Sequence, residues 1–377
     1  MGIKGLTKLL GDYAPSCVQQ QELKNYFGRK IAIDASMNIY QFLSAVRAGA
    51  DNLRNEAGEV TSHLSGLFYR TTRLMELGIM PCYVFDGKPP ELKSGELSKR
   101  IEARRQAEAS AALAKEEGDV EAYEKFNRRV NKVSPEVIEQ SKRLLRLMGI
   151  PILEAPEEAE AQCASLCKEN LVYATASEDM DSLTFGSPKV IRQLWVGATS
   201  TAEKKGIHPL EFSLEKALLE LNFSYEQFID LCILCGCDYL DSIRGIGPYK
   251  AFNLIRKHGN LEGALEEIKE KHDVPDHFPY DKARELFLKP KVHSPSSVVL
   301  EWSPPDEQGI IQMLVHESNF NEDNIRKALK RLAHSKHASS QGRLENFFSI
   351  KPKEQQDPST DKKRKAPVFS PKRNKRR

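Results

Sequence analysis

Two acid pairs lie close together in this chain, Glu158 with Glu160 and Asp179 with Asp181, each at i,i+2 spacing. The first follows Pro156, where a helix would start. The second follows Leu171–Thr175, an apolar and β-prone run that reads as a buried strand. A carboxylate where a strand gives out points into the crevice in which open α/β sheets bind ligands. Acids gathered at such an edge repel one another until something cationic neutralises them, and hard divalent cations are the usual oxygen-bound answer. Either pair alone is better explained by an ordinary helix N-terminus or polar loop, and the rest of the chain decides.

Two more acids close apolar strands. Lys30-Ile31-Ala32-Ile33 ends on Asp34, and Cys82-Tyr83-Val84-Phe85 ends on Asp86 before a turn at Gly87. Helices are expected over residues 3–11, 36–48 and 60–77, the last stopped by Gly78. Strands joined through helices place their C-terminal ends on one edge of a parallel sheet. Ile150–Leu153 supplies a third strand, and residues 190–196 (VIRQLWV) a further one ahead of a polar loop running to about residue 211. Ser134-Pro135 opens a helix, and Ser224 with Gln227 forms a capping box. The expected fold class is α/β, with a mixed, mostly parallel sheet flanked by helices.

Residues 88–133 break this pattern. Rich in Ala, Glu, Lys and Arg, they favour helix, yet they lack an apolar stripe, so a solvated helical insertion is expected. Arg100 and Arg104 share one face of it, joined by Lys93 if the helix extends past Gly95. Further on, Gly245-Ile246-Gly247 precedes a helix opened by Pro248. Free backbone N–H groups at such a turn bind phosphate oxygens without reading bases, and Lys250, Arg256 and Lys257 lie behind it. Asp238, just ahead, brings the acids at strand ends and turns to seven. That exceeds what one Mg²⁺ needs and fits two ions with bridging ligands, one activating water and one stabilising the leaving oxygen of a phosphodiester. On a regular helix Glu158 and Glu160 diverge. Either one of them binds through water, or both lie around the helix start.

Composition bounds the function. The 377 residues are 40% hydrophobic and 29% charged with a net charge of +3, a globular chain with material for two or three domains. Residues 361–377 hold nine Lys/Arg against one acid, which leaves 47 basic and 52 acidic side chains in the other 360. Nucleic-acid binding must then come from local patches. No apolar run approaches the ~18 residues that span a bilayer, so no membrane partner is expected. A secretory signal pattern is lacking, and Leu6 stands where a myristoylation motif needs Ser or Thr. Seven cysteines, an odd number, point to a reducing compartment. Cys163 with Cys167, and Cys232, Cys235 and Cys237, lack a second pair at zinc spacing and are expected as buried thiols.

The segments MGIKGLTKLL, KIAIDASMNIYQF, YVFDGKPPELKSGELSKR, EAPEEAEAQC, SEDMDSLTFG and GCDYLDSIRGIGPYKA, in this order and spacing, resemble the eukaryotic flap endonucleases over essentially residues 1–348. The resemblance implies a PIN-like nuclease core. It would comprise an N-terminal nuclease region (1–105), a helical arch (88–133), an internal nuclease region (123–254) with a helix–hairpin–helix near 232–258, and a helical C-terminal part (259–335). It implies a 5′ flap endonuclease with 5′–3′ exonuclease activity, cutting branched DNA near the flap junction in Okazaki fragment processing and base excision repair. Asp34, Asp86, Glu158, Glu160, Asp179, Asp181 and Asp238 would hold two Mg²⁺, with Mn²⁺ as a substitute and K⁺ at the hairpin. Lys93, Arg100 and Asp181 would be catalytic, the first two reaching the scissile phosphate. Tyr40 would stack on a base. Arg47, Arg70, Glu158, the Gly236-to-Asp238 segment, Gly245, Gly247 and Lys250 would contact DNA.

Three features depart from the family. Cys237 replaces a usual Ser, Tyr249-Lys250 replaces two usual basic residues, and the 196–206 loop is longer. Two other readings stay open. One is a long-patch 5′ exonuclease or junction-resolving relative on the same core. The other is a clamp-tethered DNA-binding protein without catalysis, which would have no use for seven anions facing phosphate.

From about residue 336 the chain turns polar and is expected to be disordered. Within residues 340–348, Gln341, Leu344, Phe347 and Phe348 match the Q-x-x-hydrophobic-x-x-aromatic-aromatic pattern that binds the sliding clamp PCNA. A monomer is expected, up to three per clamp trimer. KKRK (362–365) and KRNKRR (372–377), on either side of Ser370-Pro371, point to the nucleus, with nucleolus and mitochondrion as further compartments.

Overall fold

The structure, a computed structural model, describes residues 2–46, 61–127, 130, 133–197, 208–275 and 278–338. Arg47, most of the 196–206 loop, the clamp motif and the basic clusters lie outside them. Chain order runs α1 (Leu6–Tyr13), β1 (Val18–Gln20), β2 (Lys30–Asp34), α2 (Ala35–Val46), α3 (Ser62–Glu76) and β3 (Met80–Phe85). Then come α4 (Ser94–Glu116), α5 (Val120–Asn127), α6 (Pro135–Leu147), β4 (Ile152–Glu154), α7 (Ala159–Lys168), β5 (Ala174–Ala176), β6 (Lys189–Arg192) and β7 (Leu210–Ser213). Helices dominate thereafter, among them Tyr225–Cys235, Pro248–His258, Leu261–Lys271, Tyr280–Leu288 and Glu322–Ala338.

Seven strands form one sheet in the order β1-β7-β6-β5-β2-β3-β4. The five from β6 to β4 are parallel, and β7 runs antiparallel to both β6 and β1. This is the mixed, mostly parallel sheet expected, and it sets the ends of β2, β3 and β5 side by side.

Alternation along the strands decides what each face packs against. Ile31 and Ile33 join Tyr83 and Phe85 in a core shared with α3, α6 and the helix Glu322–Ala338. Ala32 and Val84 face the other way, onto Ala159, Cys163 and Leu166 of α7. Small residues on both surfaces let α7 lie close to the sheet, so its first turn arrives at the strand ends. All seven cysteines are buried free thiols.

The structure departs from expectation in several places. The strand read over 171–175 starts only at Ala174, because Asn170 adopts φ 58° after α7 and the chain bends before joining the sheet. The strand read over 190–196 ends at Arg192. Gln193 turns with φ 58°, its N–H donating to Glu178 (2.7 Å), and the helical turn Leu194–Gly197 folds Trp195 onto Tyr83. β7 forms where a polar loop was expected to continue, and the short edge strand β1 gave no sequence signal. The helix Glu322–Ala338 runs past residue 336, where the tail was expected to begin. In the charged insertion, α4 starts at Ser94 and pairs with α5 along a seam of Ala107, Ala111 and Ala114.

The described residues all fall within one compact unit, residues 1–340. No described helix is long and apolar enough to cross a membrane. Behind the hairpin three helices are tied through one buried acid. Asp230 accepts from the N–H of Leu261 (3.0 Å) and from two nitrogens of Arg284 (2.7 and 3.0 Å), while Arg284 also reaches Glu262 (2.8 Å). Removing one partner of such a pair leaves a buried charge uncompensated. Arg284→Met should therefore destabilise the chain by roughly 3–5 kcal/mol in urea unfolding; a change within about 0.5 kcal/mol, the scale of an ordinary surface substitution, would show the pair to be dispensable.

Candidate active site

The acids are placed by the helix starts they cap. Asp34 accepts from the N–H of Met37 in the first turn of α2 (3.1 Å) and from the hydroxyl of Ser177 beyond β5 (3.4 Å). Asp86 accepts from the N–H of Ala159, the first residue of α7 (2.9 Å). Unbonded N–H groups at helix starts supply these donors, so the carboxylates lock α2 and α7 to the strand ends. Glu158 precedes α7 with extended backbone, and Glu160 lies in its first turn. The pair thus straddles the helix start, and the divergence imposed within a regular helix does not apply. Beyond β5 the turn is held by Asp179 N–H on Ser177 Oγ (3.1 Å) and Asp181 N–H on Asp179 Oδ1 (3.3 Å).

Asp238 arrives from a different element. The helix Tyr225–Cys235 ends at Gly236, whose φ of 104° turns the chain, and the Gly236 carbonyl accepts from the N–H of Lys4 (3.1 Å). Burial pushes the thiol of the neighbouring Cys237 up to about 12, so this departure from the family adds no charge to the site.

Cations from the base of α4 meet these acids. The ammonium of Lys93 pairs with Glu158 Oε1 and lies 3.4 Å from Asp238, while Arg100 Nη2 donates to Asp238 (2.7 Å) and Nε to Glu96 (3.0 Å). The hydroxyl of Tyr239 donates to the second oxygen of Glu158. Asp34, Asp86, Glu158, Glu160, Asp179 and Asp238, together with Lys93, Arg100, Arg104 and Tyr40 of α2, line one cavity of about 900 Å³. Asp181 is buried outside that lining, and its Oδ1 has no hydrogen-bond partner.

Burial and crowding leave these acids reluctant to ionise. Burial, then the charge of Asp86, pushes Asp34 up to about 7. Burial followed by Asp34 holds Glu160 well above the carboxylate range; burial followed by Asp179 and Asp238 does the same for Asp181. Asp179 is raised chiefly by burial. For Lys93, burial opposes the charge, yet Glu158, Glu160 and Asp238 outweigh it and raise the ammonium above its usual value.

Whether these residues suit divalent metal can be judged from the same facts. The donors are all oxygens, the carboxyl groups outnumber the three cations in the lining, and one buried carboxylate oxygen is orphaned. Among the described residues no three acids converge in ligand geometry; they ring the cavity instead, with Lys93 between two of them. A hard ion that keeps several of its waters suits such a loose ring better than a closed cage would. The residues fit Mg²⁺.

Other expected site residues lie apart from the cavity lining. The guanidinium of Arg70 rests 4.1 Å from the ring centroid of Phe42 and is depressed by burial. Gly245, with φ 85°, and Gly247 form the turn before the helix Pro248–His258, and Lys250 Nζ donates to the Gly245 carbonyl (2.9 Å). Two contributors escaped the sequence reading. Tyr239 adjoins Asp238 in the GCDYLD run, but nothing in the spacing says that its hydroxyl turns to Glu158. Gly2 is the other: a Cβ there would fall 1.4 Å from Asp179 Oδ1, so only glycine fits against that acid.

Comparison with known proteins gives a consistent pattern. The XPG N-terminal domain matches residues 1–107 and the XPG I-region residues 149–238. The chain is 53% identical over 353 residues to Flap endonuclease 1 of Nematostella vectensis, covering 93% of this chain and 92% of that protein. Its structure is similar to that of flap endonuclease-1 from Methanococcus jannaschii, with a TM-score of 0.67 and 35% identity over 88% of this chain and 99% of that one. The catalytic core of Rad2 in complex with a DNA substrate gives a TM-score of 0.67 at 25% identity, covering 88% of this chain and 100% of that one.

The raised acids carry a testable pH dependence. A carboxyl with a higher pKa folded than unfolded favours the folded chain at low pH. That contribution is lost as pH rises from the ordinary carboxylate range near 4 through about 7 for Asp34. The thermal midpoint of metal-free protein, scanned from about pH 5 to 8, should therefore fall less steeply in Asp181→Asn than in wild type, because one such group is gone. Superimposable slopes would rule out ionisation of Asp181 as a source of strain.

Proposed function

The chain belongs to the flap endonuclease family, and from that premise we propose that the acid-lined cavity is its reaction centre. The protein is a structure-specific flap endonuclease, a hydrolase of DNA phosphodiester bonds, with roles in replication and repair; DNA is its partner. The observation that carries the assignment of the centre is the direct pairing of Lys93 and Arg100, at the base of α4, with acids in the lining of one cavity.

In this reading Asp34, Asp86, Glu158, Glu160, Asp179, Asp181 and Asp238 hold two Mg²⁺ directly or through water, and Mn²⁺ can replace them. When bound, the ions supply water activation and stabilisation of the leaving oxygen. The protein's own groups do the rest. Lys93, kept cationic by its neighbours, and Arg100, a planar donor, exchange their carboxylate partners for oxygens of the scissile phosphate. Tyr40 stacks on a base beside the cut. A single 5′ strand enters between α4 and the acids, whereas duplex backbone rests on the Gly245–Gly247 turn, its N–H groups and Lys250. Gly236, Arg47 and Arg70 complete the DNA contacts on the strength of the resemblance. At the hairpin, Ser242 Oγ accepts from Lys4 (2.6 Å) and the Gly245 carbonyl from Lys250; K⁺ bound there would share oxygens with these ammonium groups. The 5′–3′ exonuclease activity follows if the same centre accepts a strand end. Charge argues against a purely binding role, because carboxylates facing phosphate weaken binding unless cations neutralise them.

The tail completes the proposal. Gln341, Leu344, Phe347 and Phe348 dock on the sliding clamp PCNA, one chain per clamp subunit, and the basic clusters direct nuclear import.

With 5′-labelled double-flap DNA and Mg²⁺, wild type should cut near the junction, whereas Asp181→Ala should bind the DNA and leave it intact. Tight binding without any cutting by wild type would overturn the reaction centre. Phe347→Ala with Phe348→Ala should abolish stimulation by the clamp and spare basal cleavage, and clamp binding equal to wild type would remove that assignment. Removal of residues 362–377 should leave the protein cytoplasmic in microscopy; nuclear retention would remove the import role.

A further inference from the structure

Outside the cavity, the surface where α1 meets the hairpin holds an arrangement that the activity does not yet use. Gly5, at the start of α1, lies so near Pro248 that a Cβ there would fall 2.6 Å from its Cγ. α1 therefore runs directly beside the turn at 245–247. Along one face of α1, Lys8 and Asp12 stand at i,i+4, a spacing at which opposite charges ordinarily pair. Both are exposed, and no such pair forms.

Tyr249 is the reason. Its hydroxyl donates to Asp12, and the ammonium of Lys8 lies 5.8 Å from its ring centroid. Tyr13 stands against Tyr249 (6.0 Å between centroids) and against the buried Phe252 (4.5 Å), so the ring has a fixed backing. Among the described residues Lys8 makes no ion pair. A contact between an exposed ammonium and an aromatic face is weak and is readily exchanged for phosphate, whereas a carboxylate partner would compete with it. On the same surface Lys4 reaches Ser242 and Lys250 reaches Gly245. Three ammonium groups thus border the turn, although position 249 itself carries no charge.

We propose that Lys8 is a phosphate-binding cation of the duplex-gripping surface, and that Tyr249 is a positioning residue that draws Asp12 away from it. The ligand is the sugar–phosphate backbone of duplex DNA, contacted without regard to sequence. With the uncharged Tyr249 where the resemblance implies a basic residue, Lys8 on α1 still supplies a cation beside the turn. This rests on the reading of the 245–247 turn as the duplex grip.

The test is a salt titration of binding between the full chain and labelled nicked duplex DNA in EDTA, which prevents cutting. Each phosphate neutralised contributes about 0.9 to the slope of log K against log salt. Lys8→Met should lower that slope by about 0.9 and weaken binding several-fold. Tyr249→Phe keeps the ring, releases Asp12 onto Lys8 and should weaken binding in the same direction. Adding Asp12→Asn to Tyr249→Phe should restore the wild-type slope, a rescue that mere loss of packing would not give. A wild-type slope for Lys8→Met overturns the inference. A loss in Lys8→Met without one in Tyr249→Phe overturns the part given to Tyr249. Lys250→Met separates the two levels: a lowered slope there beside an unchanged Lys8→Met keeps the hairpin reading and removes this one. Unchanged slopes in both remove the hairpin reading itself.

Discussion

Repulsion among carboxylates is the constraint on which the rest of this structure turns. Asp34, Asp179 and Asp181 are almost fully buried, Glu160, Asp86 and Asp238 open onto the same cavity, and Glu158 lies between Lys93 and Tyr239. An isolated buried carboxylate shifts its pKa upward and neutralises rather than remain charged, and four of these acids are shifted in that direction. A fold arranged only for stability would replace such a cluster with apolar side chains. Free N–H groups at the starts of α2 and α7 and within the 177–181 turn hold Asp34, Asp86 and Asp179, while Lys93 and Arg100 hold Glu158 and Asp238.

The same devices explain why the geometry is rigid. Parallel strands bring Asp34 and Asp86 to one edge because their chain direction is shared, and the small residues of α7 and of the β2–β3 face let that helix reach them. Asp238 is independent of the sheet. It is delivered by the end of the helix Tyr225–Cys235, fastened to Lys4 ahead of α1 through Gly236 and braced behind by the Asp230–Arg284 pair. The acidic ring is therefore assembled from two halves of the molecule, and the N-terminal segment, with Gly2 against Asp179, joins them.

How much of this a sequence discloses depends on whether a local signal exists. Asp34 and Asp86 were legible because an apolar strand followed by an acid is a pattern within six residues. The capping box at Ser224 and the helices of the charged insertion were legible for the same reason. Glu158 and Glu160 were legible as candidates but not as a geometry, since their usefulness depends on where α7 begins to within one residue. Tyr239 and Gly2 were silent, because their partners lie 81 and 177 positions away. β7 was missed because Leu210-Glu211-Phe212-Ser213, although alternating, is too short a run to stand out from the polar loop before it. The family resemblance supplied residue roles that no spacing could. Where the chain departs from the family, at Tyr249, only the structure showed what the new side chain touches.

Lys93 and Arg100 link the two functions that a nuclease of this kind must keep in register. They answer the charge of Glu158 and Asp238, which are themselves proposed metal ligands. A phosphate reaching the cavity competes for the same two cations, and a divalent ion competes for the same two acids. Each arrival therefore lowers the cost of the other, because it frees a group that the other needs. Coupling of this sort is reciprocal by necessity. On the proposed reading, the base of α4 is where strand, metal and acid would exchange partners. A fold that placed its cations elsewhere could bind DNA as tightly, but it would lose the dependence of metal binding on a correctly seated phosphate.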